Sequence, residues 1–325
     1  MRTLRELGEF GLIDRLERFL PTSPNVIEGI GDDCAVLRFG DRMLLISTDM
    51  FVENVHFRRE WSSPLDIGWK AAAASLSDIA AMGGVPMFSL TALACPADTP
   101  SAFIEEMYQG ISGAMSRFGA VIVGGDTTCS ESGIALDVIM LGEAIGKRCV
   151  PRHGAVAGDA IVVTGLCGRS AAGLHALKHG HEAPNLVASH LRPMPRISEG
   201  QWLSRRGVHA MIDISDGILQ DLGHIAAFSY LGIDVESARV PIAPELAAYC
   251  DQHGLDPRSF FLRGGEDYEL AFAVPESEVE ALMESFHHEF RIDTTVIGMV
   301  TDRFLGVRLD GAPVDNAGFD HFKLL

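Results

Sequence analysis

Apolar positions recur at helical spacing in the first segment. Leu7, Phe10, Leu12, Ile13, Leu16, Phe19 and Leu20 predict an amphipathic helix over residues 5–20, ended by Pro21 and Pro24. The period then changes. Gly29-Ile30-Gly31-Asp32-Asp33 is a turn entering a short strand, and Arg42 to Thr48 is a compact apolar strand that stops at Asp49. A helix is predicted from Pro64, tolerated in a first turn, through Trp69-Lys70-Ala71 to Met82, with Gly83-Gly84 as its stop signal. A strand at 87–94, a helix at 101–118, a buried-type strand at Val121-Ile122-Val123 closed by Gly124-Gly125-Asp126, and a strand at 134–143 follow.

From Gly146 to Gly158 the chain turns irregular and basic, with Lys147, Arg148, Arg152 and His153. The expected boundary lies here, between a domain at 1–148 and a second at 149–325. The second half predicts a strand at 160–164, a helix at 169–179, a polar helical stretch at 185–205, a strand at 209–212, a helix at 216–230 and a strand at 233–235. A helix at 244–253, a strand at 269–274, a helix at 276–288 and strands near 295–300 and 305–309 complete it. The expected fold class is α/β, in two halves of similar length.

Composition narrows the function classes. A 325-residue chain that is 47% hydrophobic and 22% charged is not a disordered one. Asp plus Glu number 44 against 26 Lys plus Arg, a formal net charge of −18. Such a surface repels nucleic acid and anionic membranes, so neither is an expected partner. No apolar run reaches the roughly 18–20 residues of a membrane span, and the charged start, Met1 to Glu9, has no signal core. The six cysteines form no C-x-x-C pair and read as reduced thiols of a cytoplasmic protein. His175, His179 and His181 read as a solvated helix end rather than a metal site.

Some acidic residues are placed unlike the solvating ones. Asp32 and Asp33 lie in a glycine turn; Asp49, Asp126, Asp213 and Asp216 lie at or just after strand ends, where α/β folds bind ligands. Each alone could be a turn former or an N-cap. Asp78 is different: its helical neighbours are Ala71, Ala74, Ser75, Ala81 and Met82, a face of small residues. An unpaired carboxylate buried there would cost several kcal/mol, so a metal ion, a cation or a cleft must meet it. Carboxylates with Ser and Thr hydroxyls, and no His/Cys cluster, suit Mg2+ together with substrate phosphates. The segment Val163 to Ser170 follows a strand and opens a helix without the Lys of a phosphate loop, leaving open either an anion site or a plain junction.

Six blocks together resemble the thiamine-monophosphate kinase family, within the aminoimidazole ribonucleotide synthetase-like superfamily. They are Gly29-Ile30-Gly31-Asp32-Asp33, Ser47-Thr48-Asp49 with Asn54-Val55-His56-Phe57, Ser75 to Gly83, Gly124-Gly125-Asp126-Thr127-Thr128, Asp213-Ile214-Ser215-Asp216-Gly217, and Gly264-Gly265-Glu266-Asp267-Tyr268-Glu269-Leu270. The resemblance implies an N-terminal mixed-sheet domain that pairs with its twin in a homodimer and a C-terminal α/β domain closing over the cleft. It implies ATP-dependent, Mg2+-assisted conversion of thiamine monophosphate to thiamine diphosphate. By matching position, Asp32, Ser47, Thr48, Asp49, Asp78, Asp126 and Asp213, with Asp216, would hold several Mg2+ ions. Tyr108, Gly125, Asp126, Arg152 and Ser215 would line the ATP site, and His56, Glu266 and Phe319 would contact thiamine monophosphate. No side chain is expected as a general base; Asp78, Asp126 and Asp216 would act by positioning metal. An amide-activating enzyme of the same superfamily and a non-catalytic nucleotide-binding protein are the alternatives.

Overall fold

The computed structural model describes residues 3–21, 23–146, 148–314 and 321–322. The first half runs α1 (Leu4–Glu17), β1 (Val26–Glu28), β2 (Ala35–Phe39), β3 (Arg42–Val52), α2 (Pro64–Ala81), β4 (Gly84–Cys95), α3 (Ser101–Arg117), β5 (Val121–Cys129) and β6 (Ala135–Ala144). Its six strands form one sheet in the order β1-β2-β3-β6-β4-β5, in which β4 and β5 are parallel and the other pairs antiparallel. The second half runs β7 (Asp159–Thr164), α4 (Arg169–His179), α5 (Pro184–Leu191), α6 (Ile197–Arg206), β8 (Ala210–Asp213), α7 (Ile218–Ser229) and β9 (Gly232–Val235). It continues through α8 (Pro244–His253), α9 (Arg258–Arg263), β10 (Leu270–Pro275), α10 (Val279–Phe290), β11 (Thr294–Thr301), β12 (Gly306–Leu309) and β13 (Ala312–Pro313). This sheet has the order β13-β12-β9-β11-β7-β10-β8. The chain is α/β with two mixed sheets, as its alternating pattern predicts. No helix among the described residues is long and apolar enough to cross a membrane.

Helix α2 is the wall the two halves share. Its alanines Ala71 to Ala74, Ala80 and Ala81 are buried, and their small side chains bring the helix close to the first sheet. The Ser75 hydroxyl donates to the Val138 carbonyl of β6 at 2.9 Å, and the Ser47 hydroxyl of β3 donates to the Ser75 carbonyl at 3.4 Å. On its other side Trp69 Nε1 donates to the Pro193 carbonyl at 2.9 Å, and Ser77 bonds to Asp213 at the end of β8. One apolar cluster therefore runs from Leu45, Ile79 and Met140 in the first half to Val162, Leu203 and Phe272 in the second.

Several elements differ from the sequence expectation. The stretch at 185–205 is two helices, because Pro193 and Pro195 withhold backbone donors and disfavour helical geometry before them. Helix α1 stops at Glu17 and is kinked at Gly8, whose φ of 71° leaves the helical region. Strands β3 and β5 run past the predicted ends, to Val52 and Cys129, and α9 was not signalled by periodicity.

Candidate active site

Carboxylates from four separate elements converge beside α2. Asp32 and Asp33 come from the β1–β2 turn, Asp49 from β3, Asp78 from α2 and Asp213 from the end of β8. Strand alternation decides what β3 contributes: Ser47 and Asp49 face α2, whereas Thr48 is exposed on the other face and donates to Asp137 at 2.7 Å. Oxygens of Asp33, Asp78 and Asp213 all lie within 4.8 Å of one another. It is the one such group of His, Cys, Asp and Glu side chains among the described residues.

The group is short of positive charge. Arg152 reaches it, with Nη2 2.7 Å from Asp33 Oδ1, Nη1 donating to the Gly31 carbonyl at 3.2 Å and its backbone N–H donating to Asp32 at 3.1 Å. Ser77 donates to Asp213 Oδ2 at 2.6 Å. These contacts do not compensate the burial. Burial, followed by the charges of Asp49, Asp213 and Asp33, pushes the Asp78 carboxyl well above the usual range. Burial and then Asp33 push Asp213 up to about 8, and burial with Asp33 pushes Asp32 up to about 6. Asp49 is also raised, first by burial.

The donor set fits Mg2+. Asp33 Oδ2 and Asp49 Oδ2 are buried with no hydrogen-bond partner among the described residues. Oxygen-only ligands, like charge and orphaned carboxylate oxygens are what a hard divalent cation requires, and neutral protein groups do not satisfy them. The coordinating candidates are Asp33, Asp78 and Asp213, with Asp49 and Asp32 beside them.

A second group of functional side chains forms where the loop Gly264 to Glu269 crosses the cleft. Each acid of the loop has a separate partner. Lys70 Nζ of α2 lies 2.6 Å from Glu266 Oε1. Asp267 accepts from the Gly168 and Ser170 N–H groups at 2.5 and 3.0 Å, so the α4 N-terminus is already capped by a carboxylate, and the junction at Val163 to Ser170 is occupied from within the protein. Glu269 pairs with Arg196 and accepts from the Thr164 hydroxyl at 2.7 Å. The loop lies against Ser215: a Cβ on Gly265 would sit 1.9 Å from the Ser215 carbonyl, which also accepts from the Glu266 N–H at 2.8 Å. His56 Nδ1 accepts from the Val52 N–H at 2.9 Å, and burial lowers its pKa to about 4, so the ring is neutral at pH 7.

The remaining candidates are dispersed. Asp216 accepts from Gln220 at 2.8 Å, and burial raises it to about 6. Asp126 and Gly125 lie on the exposed edge strand β5, outside the carboxylate group. Tyr108 is on α3, packed against the core. Phe319 lies outside the described residues; His321 nearby sits 5.0 Å from the His56 ring. Sequence reasoning singled out the Asp32-Asp33 turn but gave only Asp32 to the metal set, and it missed Lys70, His190 and the buried Asp221, which accepts from the Gly217 N–H at 3.0 Å. The Asp-Asp doublet and a lone cation in an alanine-rich helix were the available signals. His175, His179, His181 and His253 do gather, but around the Tyr249 hydroxyl and in ring stacks.

Known proteins resemble the chain over nearly its full length. The family profiles for AIR synthase related protein match residues 31–144 with the N-terminal domain and residues 156–310 with the C-terminal domain. The chain is 36% identical over 324 residues to thiamine-monophosphate kinase of Aquifex aeolicus, covering 98% of this chain and 99% of that one. It is 38% identical over 327 residues to the Escherichia coli K12 enzyme of the same name, covering 97% and 98%. The solved structure "AaThiL complexed with AMPPCP and TMP" superposes with a TM-score of 0.89 at 36% identity, covering 99% of both chains. E. coli HypE, a hydrogenase maturation protein, shares the fold at 23% identity and a TM-score of 0.68.

Proposed function

The chain belongs to the thiamine-monophosphate kinase family, and from that premise we propose that it moves the γ-phosphoryl group of ATP in line onto thiamine monophosphate, with Mg2+ held at Asp33, Asp78 and Asp213. The observation that carries the metal reading is the buried group of like-charged carboxylates whose oxygens lie within 4.8 Å. A phosphate oxygen of thiamine monophosphate attacks the γ-phosphorus, the bond from that phosphorus to the β-phosphate oxygen breaks, and ADP leaves. The nucleophile is a phosphate monoester with a second pKa of about 6, already mostly dianionic at neutral pH, so no side chain need remove a proton. Bound Mg2+ would supply the charge neutralisation and Lewis acidity that two polyanions need to approach.

The protein's own part is positioning. Asp78 and Asp213 present oxygens from opposite halves of the molecule, and Ser77 fixes the Asp213 carboxylate. Asp49, Ser47 and Asp32 form the surrounding donors, and Arg152 balances Asp33. Asp216 and Ser215 extend the polar wall toward the nucleotide, with Tyr108, Gly125 and Asp126 as further ATP contacts. Glu266 offers an anionic group suited to the thiazolium cation, and neutral His56 lies beside it; Phe319, outside the described residues, is a further substrate contact by family resemblance alone. We assign the molecule a homodimer through its first sheet, because β5 is an edge strand exposed along its length and carries the apolar Val121 and Val123 outward, next to exposed Phe88 and Leu90 of β4.

Incubation with ATP, Mg2+ and thiamine monophosphate is expected to yield thiamine diphosphate and ADP in equal amounts by mass spectrometry. ATP consumption with formylglycinamidine ribonucleotide, and none with thiamine monophosphate, would instead place the chain with the amide-activating enzymes of its superfamily.

A further inference from the structure

We propose that Lys70 is a positioning residue for the substrate: it holds the Glu266 carboxylate in one orientation and joins the Gly264–Glu269 loop to the helix that carries Asp78. This rests on the reading of Glu266 as a contact for thiamine monophosphate. Lys70 is 3% exposed, an uncommon state for a lysine, and its ammonium lies 2.6 Å from Glu266 Oε1. The second oxygen, Oε2, is 3.4 Å from His190 Nδ1, and that nitrogen is 3.1 Å from the Ser170 hydroxyl. Lys70 Nζ is also 3.3 Å from His190 Nε2. Lys70, His190 and Ser170 thus hold Glu266 from α2, α5 and α4.

Two features separate this arrangement from an ordinary buried ion pair. Glu266 and Tyr268 have φ values of +63° and +51°, a left-handed backbone that non-glycine residues enter at a cost, so the loop is held in a strained form around this carboxylate. Glu266 nevertheless keeps 26% of its side chain exposed, while Lys70 and His190 behind it are sealed at 4% and 3%. Part of the Glu266 side chain therefore stays open on the side away from Lys70 and His190. The compensating charge comes from Lys70. Burial would raise the Glu266 pKa, and the Lys70 charge holds it below the usual range. Burial takes His190 down to about 3, so that ring is neutral and only orients. Lys70 also precedes Asp78 by eight residues on one helix, roughly 12 Å at the helical rise. The metal-binding carboxylate and the substrate carboxylate are thereby set by the same rigid element.

The test is a double-mutant cycle on the full-length protein, using Lys70→Met, Glu266→Gln and the pair. Steady-state constants for thiamine monophosphate and for ATP are measured alongside thermal unfolding. Lys70→Met is expected to raise KM for thiamine monophosphate by about 10–100-fold, the loss typical of an outer partner to a binding group. KM for ATP should stay within about twofold, and the double variant should be no worse than Glu266→Gln alone, as coupling through one group requires. Lys70→Gln, which keeps a hydrogen-bond donor, carries the same test should the methionine variant not fold. Normal KM in the Lys70 variants with an impaired Glu266→Gln overturns the role of Lys70, as does a fully additive double variant. An unimpaired Glu266→Gln instead overturns the substrate contact on which the proposal rests.

Discussion

Asp78→Asn is expected to lower kcat by about 10²–10³-fold, the loss that follows removal of one preorganised electrostatic contact to a transferring phosphoryl group. The same change should make the metal-free protein more stable. Asp78 faces the charges of Asp49, Asp213 and Asp33 with burial forcing its pKa upward, so an isosteric neutral amide removes repulsion without opening a cavity. Activity and thermal stability therefore move in opposite directions, which a merely structural carboxylate would not produce. Asp213→Asn should behave alike, with the amide oxygen still able to accept from Ser77. Turnover and unfolding temperature measured on both variants check this; near-normal turnover would remove Asp78 from the site.

The second large effect is in pH and metal. Asp32 and Asp213 have folded pKa values raised to about 6 and about 8, above an unfolded value near 3.9. A carboxyl raised in this way contributes stability below its unfolded pKa, and that contribution is lost as pH rises through the folded value. The metal-free protein should therefore weaken between pH 6 and 8, by about 5 °C in unfolding temperature if Asp213 alone follows the full linkage slope. Mg2+ should cancel the loss, because it binds the deprotonated carboxylates, and its apparent affinity should rise over the same interval. Calorimetric scans at several pH values, with Mg2+ and with a chelator, read both effects. An unfolding temperature that climbs with pH in the chelated protein would contradict the assignment of these carboxylates.

Much of this arrangement was legible before the structure was known, and the parts that were not share a cause. The small-residue face around Asp78, the Gly83-Gly84 stop and the apolar strand leading to Asp49 are local, so helical periodicity and the apolar run expose them. Strand alternation turns the Thr48 hydroxyl away from α2 and toward Asp137. Asp33 is the opposite case. Which carboxylate of an adjacent pair faces the metal group depends on the turn at Gly31, whose φ is +112°, and on Arg152, 119 residues away. The Lys70–Glu266 pair is equally nonlocal: a lysine in an alanine-rich helix carries no mark of its partner until the second half closes on α2. The break between α5 and α6 had a local signal in Pro193 and Pro195 that the polar pattern of the stretch obscured.

Anomalous scattering from crystals soaked in Mn2+ with a non-hydrolysable ATP analogue tests the central claim most directly, since Mn2+ takes the same oxygen donors as Mg2+. The account predicts a peak within about 2–2.5 Å of carboxylate oxygens of Asp33, Asp78 and Asp213. Peaks confined to other acidic residues, with this group left free of metal in a crystal that binds the nucleotide, would contradict it.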